Sequence, residues 1–260
     1  MTLSPQQINF RTGTTLLVDK PLHWTSFDVV NKIRFMLKKH AGIKKIKVGH
    51  AGTLDPLATG LVVVCTGRAT KTIDSLMNGD KEYIATLKLG ATTPSFDLET
   101  EIDHTYPVEH ITAEQVQQVL AEQFTGNLMQ TPPTFSAIRI DGKRAYEYAR
   151  KGNADSVQIK PRPILISQIE PTVFDGTSLT LRIVCSKGTY IRALARDIGL
   201  ALNSGAHLTA LRRTRSGDSC VQDAMTMEQV EQLILDAAPF QPKEEKNVSQ
   251  KADNKHNEAI

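Results

Sequence analysis

The segment richest in chemical potential is Gly49-His50-Ala51-Gly52-Thr53-Leu54-Asp55-Pro56-Leu57-Ala58-Thr59-Gly60. Its glycines let backbone approach a ligand closely, and Asp55 is its only carboxylate. Two readings of that carboxylate stand side by side. It is either a catalytic group presented by a loop, or a turn former, which is the commoner use of an acidic residue among glycines. A lone carboxylate argues against hydrolysis of a sugar linkage, which calls for two positioned acidic groups. The second chemical segment is Cys185-Ser186-Lys187-Gly188-Thr189-Tyr190-Ile191-Arg192. A guanidinium next to a carboxylate favours its ionised form. Read alone, Arg192 is equally a phosphate contact or a surface residue of an amphipathic helix.

Charge points to a class of ligand. The 260 residues carry 31 basic and 28 acidic side chains, a net of +3, distributed unevenly. Residues 1–80 hold 11 basic and 5 acidic groups, residues 139–162 hold 7 and 3, and residues 187–215 hold 6 and 1. Residues 81–130, with 2 basic and 8 acidic groups, compensate. Three basic blocks that converge would suit a polyanion; blocks that never meet would be solvated faces. With 40% hydrophobic and 23% charged residues, the composition is that of a soluble globular chain, neither collagenous nor wholly disordered. No apolar run reaches the roughly 20 residues of a membrane span, and the N-terminus carries no secretory pattern. Three widely spaced cysteines, Cys65, Cys185 and Cys220, suggest neither a disulfide framework nor a zinc site, and a reducing cytoplasm follows.

The elements that must position these groups are partly readable. Thr15 to Val18 reads as a strand that stops at Asp19-Lys20-Pro21. Ser26 reads as the N-cap of a helix whose apolar stripe is Val29, Val30, Ile33, Met36 and Leu37. Gly42 to Lys47 is a basic loop, Gly49 to Gly60 a glycine-rich loop, and Leu61 to Cys65 a buried strand. Glu82 to Leu89 is rich in strand formers. Helices are expected over Thr112–Phe124, Arg144–Lys151, Thr189–Leu202 and Met227–Ala237. Residues 134–140 read as extended. Residues 166–174 and 178–186 read as paired strands about Asp175-Gly176. From Gln241 the polar tail reads as disordered. Strands and helices alternate irregularly, which favours a mixed sheet with helices.

The whole glycine-rich segment resembles the signature of the TruB family of tRNA pseudouridine synthases. Further segments resemble that family in order: Asp19-Lys20-Pro21 with Thr25-Ser26; Lys81-Glu82-Tyr83; Pro133-Thr134-Phe135-Ser136-Ala137 with Gly142-Lys143, Tyr146 and Ala149-Arg150-Lys151-Gly152; Cys185 to Arg192; and Gly205-Ala206-His207-Leu208 with Leu211-Arg212-Arg213 and Ser216-Gly217. The resemblance covers roughly residues 14 to 235, and several motifs in register make coincidence improbable. His23 departs from it, standing where the family usually has glycine. Many relatives also continue into a small C-terminal RNA-binding domain of the PUA type, and the tail here is too short and polar to form one.

The resemblance implies a mixed α/β catalytic fold (α+β) on a central, mainly antiparallel sheet. It implies one catalytic domain over residues 1–240 with an RNA-gripping insertion at about 131–160. It implies conversion of uridine 55 of the tRNA T-loop to pseudouridine, with Asp55, Tyr83 and Arg192 as catalytic residues. His50, Tyr190, Leu211 and Lys20 would be substrate-binding or supporting. Lys44, Lys45, Lys143, Arg144, Arg150 and Lys151 are candidates for the RNA backbone. The rearrangement involves no redox change, so no cofactor and no metal are implied. The partner is the T-arm stem-loop of tRNA; no membrane and no obligate protein partner are expected, and the chain is read as a monomer. A tRNA-folding chaperone with the same surface is the alternative.

Overall fold

A computed structural model describes residues 8–136, 138–140, 142–149 and 158–237. The chain opens with strand β1 (Thr15–Lys20), helix α1 (Ser26–His40), β2 (Val48–Ala51) and β3 (Ala58–Thr66). A short 3-10 turn leads into α2 (Ile73–Leu76) and then β4 (Lys81–Leu89), followed by the small pair β5 (Ala91–Thr92) and β6 (His104–Thr105). Next come α3 (Ala113–Gln123), β7 (Gly126–Gln130), the small hairpin β8 (Arg139–Ile140) and β9 (Lys143–Arg144), and α4 (Ala145–Ala149). The last part is β10 (Arg162–Phe174), β11 (Ser178–Cys185), α5 (Ile191–Ala201), β12 (Ala206–Ser216), β13 (Ser219–Cys220) and α6 (Met227–Asp236).

The strands form one central sheet in the order β1-β3-β12-β4-β11-β10-β7, with β2 on β3 and β13 on β12. Its pairings are antiparallel except β3 with β12. The expected mixed fold with a mainly antiparallel sheet is the fold observed. The run Leu61 to Cys65 is continuously apolar because β3 is covered on both faces. Val62 and Val64 join the main core with α1, α5 and α6, while Leu61 and Val63 join a smaller cluster with Val221, Ile73 and Met77.

Three helices start on the same device, a threonine whose hydroxyl accepts from the backbone three residues on while that residue's side chain accepts in return. The pairs are Thr25 with Asp28, Thr112 with Gln115 and Thr226 with Gln229. This corrects the expected cap of α1. Ser26 is one residue too late to pair with Asp28, and its buried hydroxyl instead serves Leu54.

Other boundaries shift too. Half of the glycine-rich segment is strand, with residues 52–57 forming the loop between β2 and β3. The helix expected from Arg144 starts at Ala145, because Arg144 pairs with Arg139 in the β8–β9 hairpin. Residues 134–136 bend, and extension begins only at Arg139. Arg150, Lys151 and the tail from Gln241 lie outside the described residues. His23, the residue in the glycine place, has φ 67°, a left-handed backbone that glycine adopts freely and histidine more readily than most residues.

Gly60 marks the closest backbone approach in the parallel junction. It pairs with Arg213 at φ 102°, where a Cβ would run into the Arg213 carbonyl oxygen and stand 2.8 Å from its nitrogen. Gly60→Ala is therefore expected to cost at least about 2 kcal/mol, read as a lowered urea midpoint. An unchanged midpoint would mean that the β3–β12 junction yields freely.

Candidate active site

The loop that carries Asp55 is fastened along its length. The Ser26 hydroxyl accepts from the Leu54 N–H at 2.8 Å and donates to the Leu54 carbonyl at 3.2 Å. The His23 N–H donates to the Pro56 carbonyl at 2.8 Å. The buried Arg213 side chain donates to the carbonyls of Gly52 at 3.0 Å, Thr53 at 3.5 Å and Leu61 at 2.7 Å. A loop tethered on both sides of its carboxylate holds that group with little residual freedom.

Arg192 meets Asp55 from the opposite side. It is the second residue of α5, and the helix start is itself clamped. The Gln130 side chain accepts from the Tyr190 N–H at 2.8 Å and donates to the Tyr190 carbonyl at 3.0 Å. Arg192 Nε lies 2.8 Å from Asp55 Oδ2 and 3.6 Å from Asp97 Oδ2. Its Nη1 donates to the Ser95 carbonyl at 3.3 Å and its Nη2 to the Phe135 carbonyl at 2.9 Å. The side chains of Arg192 and Asp97 are both 6% exposed, whereas that of Asp55 is 40% exposed. One carboxylate is thus buried behind the guanidinium and the other keeps a face toward solvent.

That face opens into a cleft of about 900 Å³ lined by Asp55, Tyr83, Tyr190, Arg192, Leu211 and Arg213 among others. Strand periodicity explains three of these. Tyr83 on β4 is the cross-strand partner of Arg213 on β12, and Ala85 is the partner of Leu211, so Tyr83, Leu211 and Arg213 share one face. The Tyr190 ring lies under the Arg162 guanidinium, 4.9 Å from the ring centroid. Lys20 and His50 are not part of the wall. Lys20 is fully buried, donating to the carbonyls of Trp24 at 2.6 Å and Pro21 at 3.0 Å. His50 is half-buried on β2, with no hydrogen-bond partner at Nδ1. Lys44, Lys45, Lys143 and Arg144 are exposed, and the Arg144 guanidinium stands 5.9 Å from the ring of Tyr146, which lines the cleft. Among the described residues no group of three or more His, Cys, Asp or Glu is placed to hold a metal ion, and no helix is long and apolar enough to cross a membrane.

Comparison with known proteins decides the family. Residues 38–191 match the N-terminal domain of TruB family pseudouridylate synthases, and residues 192–245 match the C-terminal domain of tRNA pseudouridylate synthase B. The chain belongs to the TruB family. tRNA pseudouridine synthase B of Phocaeicola vulgatus is 59% identical over 221 residues, which cover 85% of this chain and 93% of that one. The namesake from Flavobacterium johnsoniae is 50% identical over 233 residues, which cover 89% of this chain and all of that one. Among solved structures, a crystal structure of a Cbf5-Nop10-Gar1 complex superimposes with a TM-score of 0.63 at 27% identity, covering 88% of this chain and 57% of that chain. This TruB-family chain is accordingly an isomerase, a tRNA pseudouridine synthase.

Sequence reasoning missed Asp97, the tethering role of Arg213 and the Gln130 clamp. Arg213 was within the quoted Leu211-Arg212-Arg213 motif, but nothing in its spacing said that it would be buried. Asp97 sits in an ordinary polar stretch, Thr92-Thr93-Pro94-Ser95-Phe96-Asp97, and only the fold reveals its partner.

The surroundings also set protonation. Burial pushes the Tyr83 phenol above its ordinary value, with the Arg213 cation opposing, so Tyr83 is neutral at pH 7. Burial lowers the His50 ring, and Arg213 adds to the effect, so His50 is neutral there as well. Burial pulls the Lys20 ammonium down from 10.5 to about 8, with Asp55 opposing and Arg213 adding.

The sign of the Lys20 effect follows from proton counting. Below pH 8 Lys20 is charged in both folded and unfolded chains, and its burial penalty is fully present. Between about 8 and 10.5 the folded chain releases this proton first, the unfolded chain holds more protons, and stability from this group rises with pH. The difference in unfolding free energy between wild type and Lys20→Met, followed by urea titration, should be level below that window and rise across it. A level difference throughout would show that Lys20 titrates like an exposed lysine.

Proposed function

We propose that the chain isomerises uridine 55 of the tRNA T-loop to pseudouridine, with Asp55 as its essential catalytic residue. The observation that carries this reading is the convergence of Asp55 and Arg192, 2.8 Å apart, with Tyr83 and Leu211 on the walls of one nucleotide-sized cleft. The reaction breaks the bond between ribose C1′ and uracil N1, turns the base, joins C1′ to C5, loses the C5 proton and gains one at N1, so that substrate and product are isomers. Nothing is oxidised or reduced. Attack on the ribose, addition to the base and removal of a ribose proton all need a carboxylate beside the nucleotide, and the Arg192 pairing holds that of Asp55 at the cleft.

The target base must leave the loop stack to reach Asp55. Tyr83 then stacks on the uracil, its hydroxyl placed for the proton lost at C5. Leu211 forms the apolar edge, and Tyr190 the further wall. His50, two residues before Gly52, contacts the T-loop with a neutral ring. Lys20 supports Asp55 from behind through charge. Lys44, Lys45, Lys143 and Arg144 hold backbone phosphates, as do Arg150 and Lys151, while residues 131–160 grip the RNA; shape and backbone contacts of this kind dominate RNA recognition. Residues 1–240 act as one catalytic unit working on the T-arm in the cytoplasm, without a protein partner.

Incubation with a T-arm stem-loop followed by nucleoside analysis tests the proposal. Wild type should convert the target uridine. Asp55→Asn should bind the RNA about as tightly and give no product. Full-rate conversion by the variant would refute Asp55 as catalytic. RNA binding without conversion by wild type would mark the chain as a tRNA-folding chaperone.

A further inference from the structure

Among the described residues, Phe96 is the bulkiest with a left-handed backbone. Its φ of 62° lies in the left-handed region, where a large side chain costs roughly 1–2 kcal/mol. Glycine or asparagine would hold that turn with less strain. Core packing does not explain the choice, since Phe96 is half-buried and belongs to neither hydrophobic cluster. Its ring is instead covered by the guanidinium of Arg196, 4.8 Å from the centroid, a cation–π contact.

The neighbours of Phe96 are what this contact controls. The Ser95 carbonyl accepts from Arg192 Nη1 at 3.3 Å, and Asp97 Oδ2 stands 3.6 Å from Arg192 Nε. Backbone bonds fix the turn around the ring. The Phe96 N–H donates to the Thr93 carbonyl at 3.0 Å, the Leu208 N–H donates to the Phe96 carbonyl at 2.9 Å, and the Thr93 hydroxyl donates to the Asp97 carbonyl at 2.7 Å. Arg192 and Arg196 are four residues apart on α5, on the same face of the helix. Two arginines of one helix thus grip three consecutive residues of one loop. Arg196 is braced in turn, its Nε donating to Asp197 Oδ1 at 2.8 Å and its Nη2 to the Thr131 carbonyl at 3.2 Å.

We propose that Phe96 and Arg196 are positioning residues: their stacked contact locks the strained turn that aims Asp97 and the Ser95 carbonyl at Arg192, and so fixes the Arg192 guanidinium against Asp55. Neither touches the reacting nucleoside. The inference rests on the catalytic reading of Asp55 given above.

The test measures single-turnover pseudouridine formation on a T-arm stem-loop, RNA affinity and melting temperature for five proteins: wild type, Phe96→Gly, Phe96→Tyr, Arg196→Gln and the double variant Phe96→Gly/Arg196→Gln. Phe96→Gly relieves the backbone strain while deleting the ring, and should slow the chemical step by about tenfold or more, the scale of a small misplacement at a reacting centre. RNA affinity should be unchanged and the melting temperature no lower. Phe96→Tyr keeps the ring and should keep the rate. Arg196→Gln should slow the chemical step as Phe96→Gly does, with a lower melting temperature because it also loses the bonds to Asp197 and Thr131, and the double variant should be no slower than the slower single one, because both remove the same contact. Wild-type rates in Phe96→Gly, multiplying losses in the double variant, or loss of RNA affinity in step with rate would overturn the pairing. Failure of wild type itself to form pseudouridine would strike the catalytic reading instead, so the two failures are distinguishable.

Discussion

The structure depends on a buried guanidinium. Arg192 is almost wholly removed from water, and a buried charge without partners costs several kcal/mol. Its partners come from three segments remote in sequence. Asp55 arrives on the loop between β2 and β3. Ser95 and Asp97 arrive on the loop after β5, and the Phe135 carbonyl arrives from the bend after β7. Satisfying one side chain therefore assembles the site. Asp97 takes the buried side and Asp55 the side that faces the cleft, which leaves a single carboxylate both paired and accessible.

The sheet makes that assembly rigid. Its one parallel junction, β3 with β12, brings Gly60 against the backbone of Arg213, and the Arg213 side chain reaches across to hold the carbonyls that lead to Asp55. The same strand presents Leu211 to the cleft, while β4 beside it presents Tyr83. Cations around the carboxylates are all tied to backbone carbonyls. Arg192, Arg213 and Lys20 each donate to main-chain oxygens, so their charges are fixed rather than mobile, as preorganised electrostatics requires.

Much of this was legible in the sequence where local rules decide. The amphipathic helices α3 and α6 fell within a residue of their expected ends, because a threonine cap and an apolar stripe are local signals. The Asp55 loop and Arg192 were singled out through the TruB resemblance rather than through spacing, and the fold brings the two side chains together. The long strand β12 was not foreseen. Its run Leu211-Arg212-Arg213-Thr214-Arg215 looks like a solvated basic face, yet Arg213 is 1% exposed; only tertiary pairing makes such a residue a core residue. Lys20, expected only as a substrate-binding or supporting residue, is likewise fully buried, which a charged side chain next to a proline does not announce. The one-residue difference between Ser26 and Thr25 as helix cap was settled by which hydroxyl the loop needed, a contact between distant parts of the chain. Asp97 was illegible because its partner lies far along the sequence.

The most direct measurement is a crystal structure of the Asp55→Asn chain bound to a T-arm stem-loop. The target uridine should be turned out of the RNA, with its ribose C1′ within about 4 Å of the side chain at position 55 and its base against Tyr83. A uridine still stacked in its loop, or seated away from Arg192 and position 55, would contradict the assignment of the site.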